Sequence, residues 1–175
     1  MKTPFRILTL IALTFVLAGQ TTPLRAATPA ASCQNVFAEG SGPLTMVQIA
    51  PGVFTLGFAP APVTLGDVPG MLSSIVTNIT ASGAAGQGAQ HIALQHTFVS
   101  TDPARPGSFT TQDRAVCAPA GSDANVCRVN DVLTIVGGTG IFANAEGSLR
   151  NHGVLNFNTF SLTYSIRGRM CGDGL

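Results

Sequence analysis

Glycines and other small residues punctuate the segment DVLTIVGGTGIFANAEGSLRNHGVLNF, Asp131 to Phe157, too closely for a helix of ordinary length. A short apolar run with β-branched residues, 132–136, leads into Gly138-Thr139-Gly140-Ile141-Phe142-Ala143. That spacing matches the glycine fingerprint of a pyrophosphate-binding loop. Such a loop must end a strand, open a helix and be followed, about 20 residues on, by an acid that holds the ribose. Here Asn144, Gly147, Asn151 and Gly153 stand where the helix would run. Between Arg150 and Leu175 the only acid is Asp173. The segment therefore reads as strands joined by a turn whose glycines permit positive φ, and no nucleotide cofactor is expected.

The rest of the chain repeats this style. Candidate strands fall at 45–49, 53–58, 62–65, 71–81, 90–100, 108–116, 131–136, 141–149 and 153–167. Turn formers separate them, among them Pro51-Gly52, Ala59-Pro60 and Gly137 to Gly140, and Cys117 to Cys127 reads as a loop. Eight or nine strands without a helix predict an all-β chain, a sandwich or antiparallel barrel. In the 90–100 strand, Ile92, Leu94, His96 and Phe98 share one face. In the last strand, Leu155 and Phe157 have one parity and Phe160, Leu162, Tyr164 and Ile166 the other, so a bulge or break is required around Asn156 to Thr159.

Charged residues make up only 10% of the 175 residues. Lys2 and Arg6 followed by an apolar run, 7–18, predict a secretory signal peptide over 1–27, and 28–175 a single β domain. The apolar run is shorter than a membrane span, so no membrane span is expected in the mature form, which would be periplasmic or extracellular. Residues 28–175 contain no lysine, and their six arginines against eight acids leave a formal charge of −2. With no charge run anywhere, neither nucleic acid nor an anionic membrane is expected as a partner. All four cysteines lie in this part, and an even count in an exported chain predicts disulfides with three connectivities open. A local Cys117–Cys127 bridge would leave Cys33 and Cys171 to join the ends of the domain. No metal is expected: CxxC spacing is absent and the three histidines are dispersed.

The segment IVGGTGIFANAEGS resembles the dirigent and allene oxide cyclase barrel superfamily, in which a strand ends in GGTG or GGSG ahead of a Phe and a small-residue run closing on Gly. Gly137-Gly138-Thr139-Gly140, Phe142, Ala145 and Gly147 match that pattern over about 20 residues, Asp131 to Arg150, and Phe98 and Phe109 add weaker support. The resemblance implies a small closed antiparallel barrel of about eight strands with a ligand cavity, often assembled as a homo-oligomer. It also implies chemistry by holding a reactive, apolar molecule in one conformation. Allene oxide cyclases close a fatty-acid epoxide into a ring, and dirigent proteins steer the coupling of phenolic radicals. The matched residues are structural glycines and a packing Phe, so no functional residue is carried across.

The fold expected is thus an all-β, disulfide-stabilised barrel, and its partner a small apolar molecule, lipid-like or phenolic. The function expected is binding in the lumen, with isomerisation or cyclisation as the activity. The alternative is a non-catalytic binding or surface-interaction protein. Candidate catalytic residues are Glu146, sharing a more polar face with Asn144 and Ser148, and His96, an acid–base group on an apolar row. Candidate ligand-binding residues are Arg114, for a carboxylate head group, and Tyr164, the one tyrosine, with its hydroxyl at the rim. No G-x-S-x-G motif supports a serine hydrolase. Asn78-Ile79-Thr80 is a formal glycosylation sequon.

Overall fold

The computed structural model describes residues 32–81 and 88–175; the expected signal peptide lies outside them. Eight strands, β1 (Ser32–Ala50), β2 (Val53–Leu65), β3 (Val68–Ala81), β4 (Gln90–Ser100), β5 (Gly107–Ala120), β6 (Asp123–Gly140), β7 (Glu146–Asn156) and β8 (Ser161–Gly172), close into one antiparallel barrel in chain order. The last strand returns to the first along an unbroken register from Ser32↔Gly172 to Pro43↔Ser161. Among the described residues no helix is long and apolar enough to cross a membrane.

Inward rows follow the period of two. Phe109, Thr111, Asp113, Ala115 and Cys117 of β5 are buried, as are Cys127, Val129, Asp131, Leu133 and Ile135 of β6, with exposed residues between most of them. The apolar members form two clusters. The larger fills one end of the barrel and includes Phe98, Phe109, Leu133, Leu149 and Ile166. The smaller, Ile92, Ala115, Cys117, Cys127, Val129 and Leu155, lines the other end.

The glycine segment closes the filled end. β6 continues through the expected turn to Gly140, and the reversal falls at residues 141–145 instead of the expected strand 141–149. Gly140 has φ of 59° and its Cα packs against the Pro106 carbonyl, where a Cβ would collide; Gly138 is similarly pressed by the Phe142 backbone. Close packing of the two turns lets Phe142 fold into the barrel, 0% exposed. Its ring sits 5.5 Å from Phe98 and 5.2 Å from Phe109. The motif makes a plug.

Several strand limits differ from expectation. β1 starts at Ser32 because its first half pairs with β8, a partner remote in sequence. β2 runs through Ala59-Pro60, which the ladder absorbs as a register shift between Phe58 and Ala61. The Cys117–Cys127 stretch is a hairpin with Gly121 at positive φ, and the bridge joins its two strands inside the barrel. Cys33 and Cys171, direct register partners, form the second disulfide across the β1–β8 seam. The break expected near Asn156 is present: β7 ends there, and a turn over 157–160 resets the parity for β8. Arg105 bonds Asp67 and Asp102 at 2.8 Å each, tying the β2–β3 turn to the β4–β5 loop and holding the Asp102 carboxyl below its ordinary range.

Candidate functional site

Between the two apolar clusters four successive strands each interrupt an inward apolar row with polar groups. They are His96 in β4, between Leu94 and Phe98; Thr111 and Asp113 in β5, between Phe109 and Ala115; Asp131 in β6, between Val129 and Leu133; and Asn151 in β7, two residues from Leu149. All five are buried. Register brings Ala115, Asp131 and Asn151 side by side, and Ser74 stands opposite His96. The result is a polar layer across one half of the barrel wall.

Hydrogen bonds organise it. His96 Nδ1 lies 2.7 Å from Asp113 Oδ2, and the Thr111 hydroxyl donates to the same oxygen at 2.9 Å. The His96 backbone N–H donates to Thr111 Oγ1 at 3.1 Å, at a point where the β4–β5 ladder has no direct pairing. Donation from Nδ1 to Asp113 leaves Nε2 as the acceptor edge of the ring. Asp131 accepts a hydrogen bond from Asn151. Its carboxyl is nevertheless pushed up to about 6, chiefly by burial; the neighbouring Asp113 charge adds to the rise, while His96 and the Asn151 bond oppose it. Asp113 Oδ1, Asp131 Oδ1 and Asn151 Oδ1 have no hydrogen-bond partner. Buried acceptors left this way are expensive unless something else meets them. His96, Asp113 and Asp131 offer ligand atoms within 4.8 Å of one another, so they are also the residues that could hold a cation.

His96, Asp131 and Asn151 form one wall of a cavity otherwise lined mainly by apolar side chains, among them Leu56, Phe58, Val76, Ile92, Leu155 and Phe157. The space open to the centre of a water molecule is about 70 Å³, several times the ~10–15 Å³ that one water requires. It suits a ligand of about one ring. Exposed Ile79 and half-buried Gln90, Phe157 and Leu162 mark its mouth at the end opposite the Phe142 plug.

The residues singled out from sequence separate here. His96 belongs to the layer. Glu146 is exposed at the start of β7 on the outward parity, with Ser148 and Arg150, so it does not face the lumen. Arg114 also points outward, while its neighbour Asp113 points in. Tyr164 is inside, but in the filled half: its ring packs edge-on to Phe58 at 5.7 Å and its hydroxyl, expected at the rim, is buried against Gly40 without a hydrogen-bond partner. That burial raises its pKa. Thr111, Asp113, Asp131 and Asn151 were not found from sequence. Asp131 looks like the first residue of a short strand until β6 is seen to begin at Asp123.

No family model matches the chain, and no curated protein sequence matches it. Among solved structures it is similar to the pterocarpan synthase dirigent protein GePTS1, at 16% identity over 91% of this chain and 99% of that chain, with a TM-score of 0.47. It is likewise similar to the pterocarpan synthase dirigent protein PsPTS1, at 14% identity over 82% and 96%, with a TM-score of 0.46. The barrel assignment rests on the chain's own closed ladder.

Proposed function

We propose that residues 28–175 form a single exported barrel domain that takes a small apolar molecule into its open half and moves a proton on it, as an isomerase or cyclase. The observation that carries this reading is the buried polar layer facing an apolar cavity. A structural barrel has no use for two orphaned acceptors, on Asp131 and Asn151, in the wall of a void, whereas a ligand carrying a hydroxyl or an acidic C–H would meet them. Asp131, with a pKa near 6, gives and takes a proton readily close to neutrality. His96, its ring oriented by Asp113, is the second proton carrier. One group would remove a proton from the ligand and one return it elsewhere, so nothing is consumed. The apolar walls would hold the ring in one pose. The two disulfides support an oxidising, exported setting.

A one-ring enone tests this. Conversion of 3-cyclohexenone to 2-cyclohexenone moves one proton within the molecule. The chain should accelerate it over buffer, and Asp131→Asn should reduce that acceleration by about 10²-fold or more. With Asp131 as base, the rate should rise through pH 6 and then level. Binding of the enone, seen by NMR, without conversion would remove the catalytic part and leave a binding protein. Absence of both binding and conversion would count against the cavity as a ligand site.

A further inference from the structure

Folding gathers the arginines that the sequence scatters. Five of the six in residues 32–175, Arg114, Arg128, Arg150, Arg167 and Arg169, are exposed on the outer face of β5–β8; among the described residues only the sixth, Arg105, is in an ion pair. One rung of the barrel reads Phe37, Arg167, Arg150, Val132, Arg114 across five adjacent strands. At the usual strand spacing that rung spans about 19 Å of wall. The next rung reads Asn35, Arg169, Ser148, Thr134, Gln112. Neither rung holds a carboxylate, and Glu39 and Glu146, which flank them, pair with no arginine. Arg150 and Arg167 are direct cross-strand partners, a like-charge opposition that costs stability in the isolated chain. The absence of a charge run along the chain does not reveal this cluster, because the arginines gather across strands.

We infer that this belt is a docking surface for an acidic polysaccharide, a linear chain bearing carboxylates, lying across β5–β8 and onto β1. Guanidinium forks match carboxylates in two-point geometry, which suits an arginine-only cluster. The amides and hydroxyls between them, Asn35, Gln112, Ser148 and Thr134, match sugar hydroxyls. Phe37, 45% exposed with Arg167 5.1 Å from its ring centroid, offers an apolar face for a sugar ring at one end. A duplex nucleic acid would meet only a convex wall here, with no helix or ribbon to enter a groove. The surface is independent of the cavity and of the function proposed for it.

The test uses the full chain with polygalacturonate as probe in affinity electrophoresis. Retardation is expected at low salt, weakening as salt rises. Arg150→Gln with Arg167→Gln should weaken it about tenfold, while leaving the thermal unfolding temperature unchanged or raised, since it removes the opposed charges. Equal retardation by neutral dextran, equal or tighter binding to duplex DNA or anionic phospholipid vesicles, or undiminished polygalacturonate binding by the folded double variant would each overturn the inference. So would absence of retardation at low salt.

Discussion

Asp131 carries an electrostatic cost that pH can expose. Its pKa is raised from 3.8 to about 6 in the barrel, an offset worth about 3 kcal/mol. The folded state therefore holds a proton that the unfolded chain has lost between these values, so stability falls as pH rises from 4 to 6 and is flat above. Asp131→Asn should remove that slope and be more stable than the parent at pH 8, by up to about 3 kcal/mol. Urea titrations of both at pH 4 and pH 8 check this; identical slopes would reject it. Asp113→Ala should act oppositely, losing about 1–3 kcal/mol because the His96 ring N–H and the Thr111 hydroxyl would remain buried without their acceptor. Of this layer His96, in the 90–100 strand, and Thr111 and Asp113, on the parity of Phe109 in the 108–116 strand, lie within strands legible from the sequence, though only His96 stands in a plainly apolar row. Asp131 and Asn151 were hidden by strand boundaries: a row of inward residues is visible only once the strand's full length is known. Glu146 lies on the face opposite Leu149, as the alternation of 141–149 implies, but it is the Leu149 face that turns inward and the polar face that meets solvent.

At the level of elements, the glycine-rich reversal between β6 and β7 acts through Phe142. Phe142→Ala should cost about 3–5 kcal/mol by opening a void among Phe98 and Phe109. Because the cavity lies in the other half of the barrel, affinity for a cavity ligand should change little. Denaturant unfolding beside a ligand titration separates the two effects. The β5–β6 hairpin should depend on its bridge more modestly: replacing Cys117 and Cys127 by Ser should cost about 3 kcal/mol, since the loop closed is short. Hairpin positions were legible where a glycine or proline pair met an apolar run, as at Pro51-Gly52. They were missed by a few residues where the ladder continued past its glycines, as at Gly137 to Gly140, because backbone pairing tolerates glycine once neighbouring strands supply the hydrogen bonds.

Across the whole molecule, strand count and antiparallel order could be anticipated from turn spacing, while closure was expected from the resemblance and from the pairing of Cys33 with Cys171, not from any local signal. Nothing local in residues 32–43 marks them as a strand; Gly40, Gly42 and Pro43 argue against it. They are held because β8 lies alongside, and Cys33–Cys171 fastens that seam across 138 residues. Breaking it with Cys33→Ser and Cys171→Ser should cost about 5 kcal/mol, more than the hairpin bridge, since the loop released is far longer. Comparing unfolding free energies of the two double variants checks the order.

The same seam sets a timetable. Every neighbouring pair but one joins strands adjacent in the chain, and those can pair as soon as both are free to fold in the same compartment. The first half of β1 must wait for residues 161–172, the far side of the last turn. Until they fold against it, it is an open sheet edge with unsatisfied backbone groups, the kind of surface that pairs with other chains. A nascent barrel of this design has its greatest need of a chaperone at its oldest strand, and that need ends only when its youngest one arrives.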